Sequence, residues 1–247
     1  MDGKDHMNYK DYLKLERFPT SWCPGCGIGM VVNTVAQAFE ELKLKKEELT
    51  VVSGIGCTGR AAGYFNFDTI HGLHGRALPV AEGVKLVKPE MKVVVISGDG
   101  DLVGIGGNHL IHACKRNTNI TVICNNNFIY GMTGGQKSPT TEKGIITLTS
   151  PYGNPEDLVN IQGLVRANKR FYAKTTTFHL PHLKTCIKEA LQHKGFSFVE
   201  VISHCVENYG RRLGFKNAYE MLTNFKQKYK LVEDAKELGE YEIGILR

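Results

Sequence analysis

No stretch of this 247-residue sequence approaches the run of about 18 apolar residues that a membrane-spanning helix needs. Residues 1–10 are polar and lack the apolar core of a secretion signal. These two absences set the expectation of a cytoplasmic chain with no membrane partner. Nor is there a basic block: the net charge of +6 comes from scattered lysines and arginines, which does not argue for nucleic acid. A mild positive balance is better suited to steering an acidic partner or a phosphorylated ligand. Nothing repeats, and no segment is of low complexity. What is present is a 42% hydrophobic share, enough for a substantial core, and seven cysteines. In a reducing compartment those cysteines do not build a disulfide framework, so metal, cluster or catalytic roles gain weight.

Local patterns alternate between helix and strand. A cysteine- and glycine-rich loop at 23–29 precedes an amphipathic stretch at 30–45, where apolar residues recur at helical spacing. Residues 49–53 read as a buried strand running into the loop Gly54-Ile55-Gly56-Cys57. A short helix is expected at 80–87, a β-branched strand at 93–96, a helix at 106–115 and a strand at 120–124. A long polar loop spans 125–155. Helix, strand, helix, strand signals return at 156–167, 171–174, 179–193 and 197–202. Hydrophobic strands alternating with helices predict an α/β fold, a mostly parallel sheet with helices on both faces. Ligands in such folds bind at the carboxyl ends of strands, where the glycine loops fall. The division expected is an N-terminal extension at 1–20, one α/β domain at 21–208, and a charged tail at 209–247 with a short helix at 218–228.

Two of these loops carry the most information. Gly98-Asp99-Gly100-Asp101 ends one strand and Asn125-Asn126-Asn127 ends the next, with Asp99 and Asn127 twenty-eight positions apart and one helix between them. That is the length of a β-α-β step, which sets successive strand ends side by side. Oxygen ligands on both ends, with a backbone carbonyl, suit Mg²⁺, and Gly98 and Gly100 let the backbone approach a diphosphate. In isolation each loop is also an ordinary turn after a strand.

The second constellation is Trp22-Cys23-Pro24-Gly25-Cys26-Gly27. A CxxC pair is compatible with zinc, a redox dithiol or an iron–sulfur cluster, and zinc and cluster each need two more soft ligands. Cys57, in a glycine loop, and Cys205, just after a strand, are the candidates. Cys114, Cys124 and Cys186 fall within apolar helix or strand patterns and read as small core hydrophobes.

Taken together, GDG followed one β-α step later by Asn-Asn, the flanking residues 130–136, WCPGCG, GIGC and HGRA resemble the β subunits of 2-oxoacid:ferredoxin oxidoreductases, over about residues 22–208. WCPGCG and HGRA are more similar to the 2-oxoglutarate branch than to the pyruvate branch. The resemblance implies a thiamine diphosphate site with Asp99 and Asn127 as side-chain Mg²⁺ ligands and Ile129 as a carbonyl ligand. It places Ile55, Gly56, Cys57, Thr58, His74, Gly100, Asp101, Gly131 and Met132 against the cofactor, His74 being the one candidate catalytic contact. It also implies that Cys23, Cys26, Cys57 and Cys205 hold one 4Fe–4S cluster. Zinc cannot accept electrons, and a thiamine carbanion beside the thiols needs an acceptor.

The implied reaction is oxidative decarboxylation of 2-oxoglutarate to succinyl-CoA and CO₂, with electrons passed through the cluster to ferredoxin. Only the diphosphate half of a thiamine site is found here, so an α subunit carrying the aminopyrimidine half is expected, in an αβ or (αβ)₂ unit. Three other readings stay open at this stage: a pyruvate or broad 2-oxoacid enzyme, a non-redox thiamine decarboxylase or synthase half, and a zinc-binding interaction module. Arg76 either binds an anion or pairs with a carboxylate, and His71, His109 and His112 read as structural. Asn126 stands where many relatives have aspartate, and Gly134 where some carry a lysine near the substrate.

Overall fold

The computed structural model describes residues 7–247; the first six residues of the polar N-terminal stretch lie outside the described residues. The elements follow in the order α1 (Gly27–Glu41), β1 (Leu49–Ser53), β2 (Thr69–His71), α2 (Ala77–Val87), β3 (Lys92–Gly98), α3 (Gly107–Arg116) and β4 (Thr121–Asn126). A hairpin of β5 (Ile129–Tyr130) and β6 (Gln136–Lys137) comes next, then α4 (Ile161–Arg166), β7 (Phe171–Thr176), α5 (Leu180–Gln192) and β8 (Ser197–Ile202). The chain closes with α6 (Ala218–Lys228), β9 (Lys230–Leu231) and β10 (Glu242–Leu246).

Eight strands form one sheet in the order β2-β1-β3-β4-β8-β7-β10-β9. From β2 to β7 every pairing is parallel, and β10 runs antiparallel to β7. The run Val93-Val94-Val95-Ile96 explains the layering, because successive side chains of a strand point to opposite faces. Val94 and Ile96 enter a core with Val35 and Phe39 of α1 and Leu183 and Ile187 of α5. Val93 and Val95 enter a second core with Leu78 of α2 and Leu110 of α3. Helices on both faces leave the central strands apolar on both sides, as a parallel sheet requires.

Strand order reverses at β1: β2 lies on one side of it and β3 on the other. The loops leaving β1 and β3 therefore part at their carboxyl ends and open a crevice, the usual ligand position in such sheets.

Several boundaries depart from the sequence pattern. α1 begins at Gly27, inside the expected loop, and the chain leaves it through Lys43 at φ 52°. α4 is shorter than the expected 156–167 because Asn160 caps it, its side chain accepting from the Gly163 amide at 2.7 Å, while Val159 pairs with Pro139 instead of coiling. β2 was not expected. Residues 242–246, read as tail, form β10 within the main sheet, with Ile243 fully buried beside Ile202, Phe225 and Tyr229. Ahead of α1, Tyr12 is buried and its hydroxyl donates to Leu44 O at 2.6 Å.

Because Ile243 is fully buried, Ile243→Ala is expected to lower stability by about 2–5 kcal/mol in chemical denaturation. An unchanged midpoint would mean that the last strand does not belong to the folded unit.

Candidate functional site

β3 ends at Gly98, and the chain enters a single π-helical turn, Gly100–Ile105, before α3. A side chain at Gly100 would overlap the ring of Tyr130, whose hydroxyl donates to Gly100 O at 3.0 Å. Glycine is thus required where the hairpin packs on the strand end. Asp99 is 2% exposed, and its carboxylate receives the Thr140 hydroxyl at 2.6 Å. Burial is the main influence on it and pushes its pKa up, against hydrogen bonds from Thr140, Ser138 and the Asn127 backbone. Its partners are hydroxyls and amides, with no cation to offset the desolvated charge.

Opposite it, the segment after β4 turns sharply. Phe128 adopts φ 63°, a left-handed conformation that costs an L residue about 1–2 kcal/mol. The turn is held by the Phe128 amide donating to Asn126 Oδ1 at 3.2 Å, the Ile129 amide donating to Asn127 Oδ1 at 3.3 Å, and the Thr141 hydroxyl donating to Phe128 O at 2.5 Å. Held this way, Asn127 and Ile129 line the same cavity as Asp99, whereas Asn126 faces away from it.

Asp101 ties three loops together. Its Oδ1 accepts the amides of Ile55 at 3.1 Å and Gly75 at 2.7 Å and lies 2.5 Å from His74 Nδ1; its Oδ2 accepts the Ser97 hydroxyl at 2.8 Å. A carboxylate at Nδ1 selects the tautomer with the proton there, so Nε2 is the imidazole's free acceptor. The Tyr130 ring stands edge-on to the imidazole, 6.2 Å away. A side chain at Gly54 would overlap the Asp101 carboxylate, which explains that glycine.

These loops enclose a cavity of about 90 Å³ lined by Ile55, Gly56, Cys57, Thr58, His74, Asp99, Gly100, Asp101, Asn127, Ile129, Gly131 and Met132, together with Gly98, Tyr130 and Thr133. The first twelve are the residues that the resemblance placed at the cofactor and metal. A second cavity, of about 240 Å³, is lined by Cys23, Cys26, Cys57 and Cys205. The two share walls: Cys57, Asn127, Gly131 and Met132 line both. A Cβ on Gly131 would sit 3.5 Å from Cys205 Sγ and 3.7 Å from Cys57 Sγ, so this glycine of the shared wall lies directly against two of the thiols. Trp22 pins the loops to each other, its indole donating to Cys57 O at 2.8 Å while its ring lies against Tyr64.

Burial, reinforced by the neighbouring thiols, pushes Cys26 up to about 12 and Cys57 up to about 11. Burial raises Cys205 too, opposed by the amides of Asn208, Tyr209 and Glu207. Among the described residues no three His, Cys, Asp or Glu side chains converge closely enough to hold a single metal ion. Cys114, Cys124 and Cys186 are fully buried in the two cores.

Other expectations changed. Among the described residues Arg76 has no carboxylate partner and does not line the cavity; it lies at the exposed start of α2 with Nη1 3.0 Å from His109 Nε2. Thr140, the direct partner of Asp99, went unrecognised because a threonine in a long polar loop carries no signal; only folding brings it across forty-one positions.

Fold, paired loops and cavity define a class of cofactor-binding domain, and residues 54–201 match the family model described as thiamine pyrophosphate enzyme, C-terminal TPP binding domain. The chain is 44% identical to 2-oxoglutarate synthase subunit KorB of Methanocaldococcus jannaschii, over 94% of this chain and 87% of that protein. It is 49% identical to the Archaeoglobus fulgidus protein of the same name, over 80% and 74%. A solved 2-oxoglutarate:ferredoxin oxidoreductase from Magnetococcus marinus, with 2-oxoglutarate, coenzyme A and succinyl-CoA bound, aligns with a TM-score of 0.88 at 30% identity, over 98% of this chain and 85% of that one. This chain belongs to the thiamine pyrophosphate enzymes with that C-terminal domain and, among them, to the family of 2-oxoglutarate synthase KorB subunits.

Asp101→Ala strands the buried Gly75 amide along with the Ile55 amide and His74. The expected loss is about 1–3 kcal/mol for the fully buried donor alone, read by denaturant titration. Wild-type stability in that variant would show that other contacts hold the three loops together.

Proposed function

We propose that this chain is the β subunit of a coenzyme A-dependent 2-oxoacid:ferredoxin oxidoreductase that converts 2-oxoglutarate to succinyl-CoA and CO₂. The observation that carries the reading is the shared wall between the cavity of the paired loops and the cavity of the four thiols. A site that removes electrons from a substrate needs its acceptor beside the reacting centre, and two cavities with a common wall support that reading.

Thiamine diphosphate, when bound, supplies the carbon nucleophile and the electron sink that let a 2-oxoacid lose CO₂. Asp99, Asn127 and the Ile129 carbonyl would hold Mg²⁺, a hard cation matched by their oxygens. The fit rests on Asp99, a desolvated carboxylate whose partners among the described residues are hydroxyls and a backbone amide. Gly98, where an added side chain would meet only Thr58 and Asn125 at 3.6–3.9 Å, would let the diphosphate approach the backbone, while the space beside Gly100 belongs to the Tyr130 ring. His74, oriented by Asp101, presents Nε2 as an acceptor at the same cavity.

Cys23, Cys26, Cys57 and Cys205 would hold one 4Fe–4S cluster. Four thiols line one cavity, and the choice of a cluster over zinc rests on the need for an electron acceptor, which zinc cannot be. The high thiol pKa values mean that iron must displace protons as the cluster assembles. Ferredoxin is the proposed acceptor and an α subunit the proposed carrier of the aminopyrimidine half, in an αβ or (αβ)₂ enzyme. A cytoplasmic setting completes the proposal; no described helix is long and apolar enough to cross a membrane.

The test is anaerobic co-purification with the α subunit, followed by iron and zinc analysis and coenzyme A-dependent viologen reduction on 2-oxoglutarate, pyruvate and branched 2-oxoacids. Brown protein active on 2-oxoglutarate is expected, and Cys23→Ser should lose iron and viologen reduction while still binding thiamine diphosphate. Turnover of pyruvate alone would overturn the substrate assignment, and zinc in place of iron would overturn the redox reading.

A further inference from the structure

We propose that Glu200 is a positioning residue for the metal-binding turn, acting through the side-chain amide of Asn126. The inference rests on the reading of Asp99, Asn127 and Ile129 as Mg²⁺ ligands. Glu200 lies on β8, in register with Cys124 of β4 and Lys174 of β7, and is only 6% exposed. A carboxylate inside a parallel sheet is costly unless its oxygens are fully engaged. Both are. Oε1 accepts the Asn126 Nδ2 at 2.7 Å, and Oε2 accepts a very short bond from the Tyr172 hydroxyl. Lys174 is not its ion-pair partner, because that ammonium donates to the carbonyls of Gly239 and Glu240. Nor does Glu200 face the cofactor cavity. With Asn126, Thr140 and Tyr172 it lines a different cavity of about 640 Å³ behind the turn.

The acceptor at Glu200 decides which way the Asn126 amide points. With Nδ2 committed to the carboxylate, Oδ1 must face the Phe128 amide at 3.2 Å and the Thr140 hydroxyl at 2.9 Å. The reverse orientation would set an NH₂ group against the Phe128 N–H. Phe128 stands at φ 63° between Asn127 and Ile129, so the bond that holds this unfavourable backbone also sets where both nominated ligands lie. The Thr140 hydroxyl oxygen stands between Asn126 Oδ1 at 2.9 Å and Asp99 Oδ2 at 2.6 Å, but its one proton goes to a single acceptor at a time, so the positioning extends to Asn127 and Ile129 alone.

The experiment uses the αβ enzyme: calorimetric titration with Mg²⁺ at fixed thiamine diphosphate, with thermal melting of each variant alongside. Glu200→Leu is expected to weaken Mg²⁺ binding by about 10–100-fold, the usual cost of losing a partner behind a metal ligand. Glu200→Gln keeps an oxygen for Asn126 and should titrate near wild type. Tyr172→Phe removes only the other contact and should leave the Mg²⁺ titration unchanged, although its melting temperature falls. Equal losses in Glu200→Leu and Glu200→Gln would point to charge and overturn positioning; so would a Tyr172→Phe defect as large as that of Glu200→Leu, or a wild-type titration in Glu200→Leu. If Glu200→Leu yields no soluble enzyme, Asn126→Ala must show the Mg²⁺ defect with Glu200 intact, and a normal titration there sinks the proposal. Failure of the wild-type enzyme to take up Mg²⁺ with thiamine diphosphate is a separate result, which removes the site reading itself.

Discussion

Asp101 lies where the strand β3, the loop after β1 and the loop before α2 meet, and its carboxylate accepts from all three. Each of those loops has lost the ladder bonds of its strand or helix, so its amides need an acceptor that only another segment can supply. With that carboxylate in place, Ile55, His74 and Gly75 are held together and the cavity has a floor. The glycines around it follow from the same constraint: Gly54 must leave room for the carboxylate, and Gly100 must leave room for the Tyr130 ring.

Charge completes the picture. Asp99 is buried without a cation, next to Asn127 on a strained turn, and both conditions cost stability in the unliganded chain. A bound divalent cation would relieve the first and use the second. The thiols present the complementary case, raised in pKa by burial and kept apart around one cavity. The two cavities share the wall at Cys57 and Gly131. Chemistry at one is thereby coupled to electron acceptance at the other under the proposed function.

Much of this was legible in the chain itself. The run from Val93 to Ile96 is β-branched throughout and lies in the sheet, and Leu49–Ser53 and Ser197–Ile202 are strands with the expected bounds. The glycine loops stand at strand ends because a parallel α/β sheet puts them there. Short elements were less legible. Thr69–His71 has three residues and Glu242–Leu246 contains a glycine, and each is a strand only because a neighbour offers it a ladder. The sequence left Arg76 open between an anion and a carboxylate partner, and the fold sets its guanidinium beside His109.

The amino-acid order by itself determined the kinds of candidate ligand and their spacing along the chain: carboxylate and amide one β-α step apart, and a CxxC pair with two further loop cysteines. It did so because side-chain chemistry and the length of a β-α step are local properties. Only the tertiary structure decided which groups stand behind those ligands. Thr140 reaches Asp99, and Glu200 reaches Asn126 from seventy-four positions away, because β8 lies beside β4 in the sheet. Strand order depends on how the whole set of apolar faces packs, and no short stretch of sequence carries that information.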